Sequence, residues 1–554
     1  MLPLISRLKA ALSKQSSIIY DVEGLKPFYR GPEGFEQLSA REREIIAVVK
    51  PASINDVASL VTLANDCSGQ TDFDFCIYPI STGLNWGYGT GQPPISGRRV
   101  VILNLSSLTA ISFEQELGLV TIEPGVTQKI LSDYLIKLGD EFMVPVTGAG
   151  PDCSLLGNAL ERGYGITPFT DHFGAVTAVE GIWGNGERYL SAVKELDNSD
   201  EKFVDKTFKW GVGPYLEGLF SQSNLGIVTQ MTIRLARKPA QFTSFIIQIP
   251  NDDDFEPVVP LIRQVLREYE GIVGSINLMD RRRVLSMFAD NPNPGQHKVM
   301  SAQDIDRLSK AHQVPSWTIM GSIYGSQGVA RAARKEIEAI FSQVPCKQVF
   351  SDSLAIKVAK GVLSNCPQIL INYFTSLERV QGQITSFELG KQIMLGKPNK
   401  MALRLAYWRH KEASSFDPLT LSPGKDGCGL LWYAPLIPMK PEKMRDYVNF
   451  IRETCPQFNI EPLITFTNLK HDCVDSTVPI VFDLSSLAAV EDGHNCLQQL
   501  VSEGLKMGFV PYRLNIEQQR QLLKVESSFW NITNKIKSVL DPNQVISPGR
   551  YNPN

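Results

Sequence analysis

A glycine-rich segment at residues 79–91 constrains this chain more than any other part of its sequence. The segment reads PISTGLNWGYGTG and lies between the apolar runs 75–78 and 100–103. Glycine reaches positive φ and lets the backbone approach a ligand closely, so that successive N–H groups can converge on an anion. The segment therefore indicates a phosphate-binding loop. The alternative interpretation is a glycine-rich hairpin that binds nothing.

The segment matches neither of the two common phosphate-binding motifs. A Walker loop ends in Gly-Lys-Ser/Thr, a dinucleotide fingerprint reads G-x-G-x-x-G, and both open a helix. Here two prolines and a predicted strand follow, so the loop joins strand to strand. Further glycine clusters occur at 147–165 and 210–215, again near predicted strand ends. Three such clusters indicate a long, extended ligand that is held largely by backbone amides.

Composition narrows the class of protein. The 554 residues have room for two or three domains, and 43% apolar with 20% charged residues suits well-packed cores. A net charge of −3 without a long basic run argues against nucleic-acid binding. The nine cysteines form no C-x-x-C pair, which predicts reduced thiols in a cytoplasmic protein. The six histidines show no metal-binding spacing, so no metal is predicted, and no apolar run is long enough for a membrane span.

Apolar spacing predicts alternating strands and helices in two regions that divide near residue 239. In the first region we predict strands at 45–49, 75–80, 100–105, 118–122, 175–183 and 226–236, and helices at 53–67 and 130–138. In the second we predict strands at 242–249, 317–324, 430–434, 462–466 and 478–482, and helices at 255–269, 330–341 and 442–453. The stretch 287–313 is predicted to be a loop, and a final helix is predicted at 517–540.

Six motifs resemble, in the same order, those of the vanillyl-alcohol oxidase and p-cresol methylhydroxylase family. They lie at 80–89, 123–127, 157–163, 167–172, 210–214 and 546–550. The resemblance implies an α+β, two-domain FAD-binding fold, with an α/β cap domain over an antiparallel sheet. It also implies an FAD-binding domain from 1–239 and 501–554, a cap at 240–500, and a homodimer.

The resemblance implies an FAD cofactor and a set of residues that bind it. These are Ile80, Ser81, Thr82, Gly83, Leu84, Asn85, Gly87, Tyr88, Pro124, Gly125, Gly157, Asn158, Gly163, Thr167, Gly226, Ile227 and Arg550. Family members with covalent flavin carry the attachment residue where this chain has Leu84 or Leu430. Noncovalent FAD is therefore expected, with Cys428 or Tyr433 as an unusual tether being the alternative.

The resemblance also implies a chemistry. Tyr88, Tyr512 and Arg513 correspond to residues that bind a substrate phenol as phenolate, because two O–H donors and a guanidinium favour the anion. A phenolate pushes electrons toward its para carbon, so that a hydride can leave the attached benzylic or allylic carbon for flavin N5. Arg550 would stabilise the reduced, anionic flavin, and Asp152 would act as acid or base near N5.

The predicted walls of the substrate pocket are Ile166 from the FAD-binding domain and Tyr407, Arg409, Trp432 and Tyr433 from the cap. Several of these lie in predicted aromatic-rich strands, where such side chains also serve as ordinary core residues. A small aromatic substrate is expected, with O₂ or a redox protein as electron acceptor. Two alternatives stay open: the same fold oxidising a hydroxy acid, sugar or natural-product intermediate, or a non-redox use of the flavin.

Overall fold

The computed structural model describes residues 2–39, 43–201, 203–351, 388–468, 470–523 and 527–552. The α-helices are Leu2–Ala11, Val22–Leu25, Phe35–Ser39, Ile54–Cys67, Gln128–Lys137, Leu155–Leu160, Ala192–Leu196, Phe255–Glu268, Arg281–Phe288, Ala302–His312, Gln327–Phe341, Pro441–Thr454, Leu487–Lys506, Ile516–Leu522 and Ser528–Leu540. Short 3₁₀ helices are Lys26–Tyr29, Leu105–Ser107, Val204–Lys206, Glu217–Phe220, Asp252–Asp254, Met401–Arg409, Ala413–Ser415 and Cys455–Phe458. None of the helices within these ranges is both long enough and apolar enough to cross a membrane.

The first sheet carries the glycine-rich segment between two parallel strands. Among the described residues its strands follow the spatial order Ser17–Ile19, Glu44–Lys50, Arg99–Asn104, Cys76–Ile80. Cys76–Ile80 pairs with Arg99–Asn104 in parallel, so residues 81–98 form a crossover connection. The hairpin interpretation of the glycine-rich segment is therefore wrong, because a hairpin joins antiparallel strands.

A second, antiparallel sheet stands beside the first. In the described chain its strands follow the order Ile111–Glu114, Leu119–Ile122, Gly226–Arg234, Val176–Trp183, Arg188–Tyr189. Trp183, at the end of its strand, stacks on Phe220 with the ring centroids 4.0 Å apart. Ala236–Arg237 and Phe142–Met143 form a small separate ladder.

The third sheet is the largest, and its core is apolar on the face that several helices cover. Within the described residues the order is Lys347–Phe350, Gln241–Ile249, Trp317–Gly325, Ile276–Asp280, Thr465–Asn468, Cys473–Asp483, Pro435–Pro438, Val510–Pro511. Cys428–Tyr433 also pairs with Cys473–Asp483. Every ladder in this sheet is antiparallel, as predicted for the second region.

The predicted domain limits remain a prediction. The limit at 500/501 falls inside a helix. The helix Leu487–Lys506 contains this predicted limit, and the strand Val510–Pro511, which follows the limit, belongs to the third sheet. A division after residue 511 fits the sheets better. The C-terminal segment then returns to the first sheet, where Ser547 N donates to Ile77 O at 2.9 Å.

Three predicted elements differ from the structure. The stretch 287–313 is not all loop: Ala302–His312 is a helix that Ser301 and Asp304 start with a capping box. The predicted helix 517–540 is two helices, Ile516–Leu522 and Ser528–Leu540, and residues 524–526 lie outside the described chain. Met401–Arg409 is a 3₁₀ helix, so its aromatic residues do not lie on a strand.

Candidate active site

A cavity lies between the glycine-rich loop and the second sheet. Of the predicted cofactor-binding residues, its walls include 80–85, Pro124, Gly157, Asn158, Gly226, Ile227 and Arg550. Gly87, Tyr88, Gly125, Gly163 and Thr167 do not line this cavity. The cavity thus collects residues from the loop, from the glycine cluster at 147–165 and from the C-terminal segment. The predicted cluster at 210–215 does not line it.

The glycine-rich loop is held in shape by a carboxyl group that the sequence analysis did not single out. Glu33 Oε1 accepts hydrogen bonds from Gly87 N at 2.7 Å and Gly89 N at 3.1 Å. Both glycines have positive φ, 79° and 65°, which favours glycine at these positions. Burial raises the pKa of Glu33 to about 7. The N–H groups of Gly87 and Gly89 are therefore anchored inside the protein, and residues 80–85 belong to the part of the loop that lines the cavity.

The opposite wall comes close to the loop at Gly157. A Cβ atom added there would lie 2.5 Å from Ser81 Oγ, so the space between the two walls admits no side chain. Ser154 starts the helix Leu155–Leu160 by accepting from Gly157 N at 3.0 Å. The same hydroxyl donates to Pro124 O at 2.6 Å. Pro124, Ser154 and Gly157 are thereby fixed relative to one another.

Three predicted binding residues support the wall from behind. A Cβ atom on Gly125 would lie 2.5 Å from Ser106 O, so this glycine permits close backbone packing. Gly163 likewise leaves room for the Asn158 side chain. Asn158 Nδ2 lies 2.7 Å from His172 Nδ1, and His172 is buried. Thr167 is buried as well.

Arg550 enters the cavity from the C-terminal segment. Its guanidinium pairs with Glu161, and the Tyr551 hydroxyl donates to the other carboxylate oxygen at 2.6 Å. Burial lowers the pKa of Arg550, but Tyr78 and Glu161 outweigh that effect and hold it above its ordinary value. Within the described chain, Arg550 Nε has no hydrogen-bond partner. A permanent cation with a spare donor thus faces the cavity.

Left-handed backbone conformations cluster around this ion pair. Arg162, Gln222, Ser547 and Tyr551 have φ of 53°, 47°, 40° and 52°. Non-glycine residues rarely adopt such values, and they persist where the surrounding structure imposes them, often at functional sites. Gln222 also links the cavity to the neighbouring site, because its side-chain amide donates to the backbone carbonyl of Tyr512 at 3.1 Å.

Tyr88, Tyr512 and Arg513 come together beside the cavity. The Arg513 guanidinium lies 4.1 Å from the centroid of the Tyr88 ring, and its Nη2 donates to Asn85 Oδ1 at 2.9 Å. Burial raises the pKa of Tyr88 above its ordinary value, and Arg513 and the Tyr512 hydroxyl oppose that rise. Because Asn85 also lines the cavity, one side chain joins the two sites.

Two further groups at this cluster were missed by the sequence analysis. The Tyr164 ring lies 5.2 Å from that of Tyr512. Asp475, on the strand Cys473–Asp483, is 4% exposed, and its Oδ1 has no partner among the described residues. A lone aspartate in a strand carries no motif, so only the pairing of strands brings it to the site.

The structure gives Asp152 a different position from the predicted one. Its side chain is 57% exposed and pairs with Lys400 at 3.4 Å, whereas the adjacent Cys153 and Ser154 line the cavity. Because Asp152 points to solvent, we withdraw the acid–base role that its position in the sequence suggested. Neighbours in a loop do not share an orientation.

The predicted pocket walls divide by strand alternation. Trp432 packs against Gly87, and Leu430 contacts the same glycine, so this face of the strand Cys428–Tyr433 is turned toward the loop. Tyr433 points the other way, into the core beneath Gly504. We therefore keep Trp432 as a candidate wall residue and assign Tyr433 to the core.

The remaining predicted wall residues serve mainly as anchors. Arg409 is buried and donates to the backbone carbonyls of Gln296, Lys298 and Asn459. The Tyr407 hydroxyl donates to Asp426. These contacts use both side chains inside the cap, so they do not form a pocket wall. Ile166 is half-buried, and its carbonyl accepts from the Tyr324 hydroxyl at 3.2 Å.

A scan of family models matches residues 45–189 to an FAD binding domain. The 1'-carboxy-chondrochloren decarboxylase of Chondromyces crocatus is 30% identical over 527 residues, which cover 92% of this chain and 91% of that protein. The flavoprotein subunit of 4-cresol dehydrogenase [hydroxylating] from Pseudomonas putida is 25% identical over 91% of this chain and 87% of its own. The chain belongs to the p-cresol methylhydroxylase/vanillyl-alcohol oxidase family. It is an FAD-dependent enzyme.

The fold agrees with this family. The crystal structure of p-cresol methylhydroxylase with substrate bound superimposes with a TM-score of 0.82 and 21% identity, over 99% of this chain and 96% of the other. The predicted family, fold class and FAD cofactor are thus confirmed. No cluster of three or more metal-ligating side chains occurs among the described residues.

The residues present fit an FAD. The cavity joins the glycine-rich loop to Arg550, glycine at 157 leaves the wall there without a side chain, and Arg550 Nε is a buried polar atom without a partner in the described chain. Such an atom normally finds a hydrogen bond. Residues 80–85 offer backbone amides for the diphosphate, and Arg550 offers a cation for the end of the cofactor that becomes negative on reduction.

Noncovalent attachment is a prediction that can be tested directly. Leu84 and Leu430 stand at the family's attachment positions, Cys428 lies in an apolar core, and Tyr433 faces away from the loop. Cys153 lines the cavity, but burial raises the pKa of its thiol, which donates to Leu84 O at 3.3 Å. A thiol held protonated is a poor nucleophile.

We therefore expect acid precipitation of the purified holoenzyme to release its FAD into the supernatant. Flavin absorbance would be measured in the supernatant and in the washed, redissolved pellet. Flavin that stays with the pellet would contradict noncovalent binding. A Cys153→Ser variant that then releases it would identify the tether.

Proposed function

We propose that this protein takes a hydride from a benzylic or allylic carbon of a para-substituted phenol. The observation that carries the proposal is the convergence of Tyr88, Tyr512 and Arg513 next to the FAD-binding cavity, with Asn85 common to both. Two hydroxyl donors and a guanidinium in a buried place suit a small anion such as a phenolate oxygen.

The protein's own groups would act on the substrate in two ways. They hold the phenol oxygen at one end, and they favour its ionised form, since a nearby cation and O–H donors lower the pKa of a bound hydroxyl. Ionisation raises the electron density at the para carbon, so that the hydrogen on the attached carbon leaves more readily as hydride. A bound FAD supplies the two-electron acceptor. The oxidised substrate, a quinone methide, is then open to water or another nucleophile.

Arg550 would assist from the other side of the cavity. Glu161 and Tyr551 fix the position of its guanidinium, and Nε remains available for an acceptor on the cofactor. A cation that is already in place stabilises developing negative charge without reorganisation.

Several further features belong to the same proposal. The described cysteines are all free, which supports a reducing compartment such as the cytoplasm. We propose a homodimer from the family resemblance, and O₂ or a redox protein as electron acceptor. The relationship to a 1'-carboxy-chondrochloren decarboxylase supports a substrate that carries a carboxyl group as a second class.

Tyr512→Phe separates phenolic from non-phenolic substrates. We expect kcat/KM for a 4-alkylphenol to fall by about 10²-fold, the usual effect of removing one donor to a developing oxyanion. Steady-state kinetics with a 4-alkylphenol and with its methyl ether would measure the difference.

Tyr433→Phe is the matched control, because its hydroxyl lies in the core away from the loop. It should leave kcat/KM within a few-fold of the wild type. If Tyr512→Phe also changes kcat/KM only a few-fold, the phenol-binding role is wrong and the alternative substrates gain support.

A further inference from the structure

Asp475 is a buried carboxyl group to which the proposed reaction assigns no role. It lies on the strand Cys473–Asp483, directly opposite Leu436 in the next strand. Leu436 is in turn opposite Val510, two residues before Tyr512. Directly opposed residues in a sheet point to the same face. The pairing of three strands therefore brings the carboxyl to the phenol-binding cluster.

Among the described residues, the surroundings of Asp475 contain one cation and several hydroxyl groups. The titratable groups that interact electrostatically with its carboxyl are Arg513, Tyr88, Tyr164, Tyr447, Tyr512 and Cys473. Burial raises the pKa of Asp475 from 3.8 to about 7, and Arg513 opposes the rise. In the described chain Oδ1 has no hydrogen-bond partner. A proton acceptor with a free oxygen thus lies within electrostatic range of the guanidinium that the substrate would meet.

A bound phenolate would be a second anion opposite this single guanidinium. Glu161 also acts on Arg513, but it is paired with Arg550 and Tyr551. Two anions in a buried site raise each other's pKa, so that one of them takes up a proton. Of the phenolate and the Asp475 carboxylate, the carboxylate has an oxygen without a hydrogen-bond partner in the described chain, and we expect the proton to bind there.

We propose that Asp475 accepts the proton that the phenol loses on binding, through the hydroxyl groups of Tyr512 and Tyr88. The phenol O–H bond breaks and a tyrosine oxygen takes that proton. The tyrosine side chain then turns toward Asp475 Oδ1, which has no hydrogen-bond partner in the described chain of the free protein, and gives that oxygen its own proton. No electrons are transferred. The negative charge moves from the carboxylate to the substrate oxygen, so one anion balances the positive charge of Arg513 before and after the transfer. This proposal rests on the proposed phenolate binding.

The test counts protons. The ligand is 4-bromophenol, which binds as a phenol but has no para carbon–hydrogen bond to lose. Calorimetric titration of the holoenzyme in buffers of different ionisation enthalpy gives the number of protons released. At pH 8 we expect the wild type to release close to none, since Asp475 is ionised and takes the proton. At pH 6 we expect release of about one proton, because Asp475 is already protonated there.

Asp475→Asn removes the acceptor but keeps the shape of the side chain. This variant should release about one proton at both pH values. Asp472→Asn, an exposed carboxyl on the chain just before the same strand, is the matched control and should behave as the wild type. If Asp475→Asn does not fold, the number of protons that the wild type releases at pH 8 and at pH 6 still tests the proposal: release of one proton at both pH values overturns it.

The outcomes separate the two claims. Release of one proton by the wild type at pH 8, equal to that of Asp475→Asn, overturns the role of Asp475 and leaves phenolate binding intact. No release at either pH in either protein shows that the phenol binds with its proton and contradicts the proposed function itself. A merely structural role for Asp475 would change affinity but not the proton count.

Discussion

Replacement of Arg513 by methionine should lower kcat/KM for a 4-alkylphenol by about 10²–10³-fold, the usual effect of losing an electrostatic donor in an oxyanion site. The guanidinium lies 4.1 Å from the Tyr88 ring and is held by Asn85. Methionine has a similar length but neither charge nor donors. The loss also leaves Asp475 without its counter-charge, which further disfavours a bound anion. Steady-state kinetics over a range of pH would measure the effect.

Two other variants show whether the loss comes from the charge of Arg513, from its hydrogen bonds, or from the substitution of any arginine. Arg513→Lys keeps the charge but loses the planar fork that reaches Asn85, so an intermediate loss is expected. Arg331→Met, on the exposed face of the helix Gln327–Phe341, should leave kcat/KM unchanged. FAD content and thermal unfolding show whether each variant is folded. Full activity of a folded Arg513→Met enzyme would contradict the anion-binding site.

The second large effect concerns the cofactor cavity. Gly157→Val should weaken FAD binding by roughly 10–100-fold, which corresponds to the 1–3 kcal/mol cost of overpacking. The added Cβ would lie 2.5 Å from Ser81 Oγ, so the valine side chain would push the glycine-rich loop away from the Gly157 wall. Titration of the apoprotein with FAD, followed by quenching of flavin fluorescence, would measure the dissociation constant.

A matched substitution is available on the surface. A Cβ atom on Gly328, in the helix Gln327–Phe341, meets nothing within 4 Å. Gly328→Val should therefore bind FAD as the wild type does. If Gly157→Val binds FAD with unchanged affinity and remains folded, the close approach of Gly157 to Ser81 is not needed for FAD binding.

The parts of the site that local sequence encodes were predictable. The glycines at 79–91, the strands on either side and the motif with Gly157 and Asn158 carry their signal in a few neighbouring residues. The two carboxyl groups carry no such local signal. Glu33 precedes Gly87 by 54 positions, and Asp475 is brought near Tyr512 only by the order of strands in the third sheet.

The direction of individual side chains was the other feature that the sequence could not predict. Asp152 shares a loop with cavity-lining Cys153 yet points to solvent. Trp432 and Tyr433 are adjacent, but alternation along the strand sends one to the glycine-rich loop and the other to the core. Arg409 had the right charge for a substrate anion, but its donors meet three backbone carbonyls in the cap. Only tertiary contacts decide such cases.

The most direct test mixes the FAD-loaded protein with 4-ethylphenol in the absence of oxygen and follows the yellow flavin absorption in a stopped-flow spectrophotometer. Tyr88, Tyr512 and Arg513 acting as a phenolate site predict that the colour is lost in a single turnover, and that the methyl ether of the same phenol leaves it unchanged. A flavin that stays oxidised with every para-substituted phenol, while a hydroxy acid or sugar bleaches it, would contradict the account.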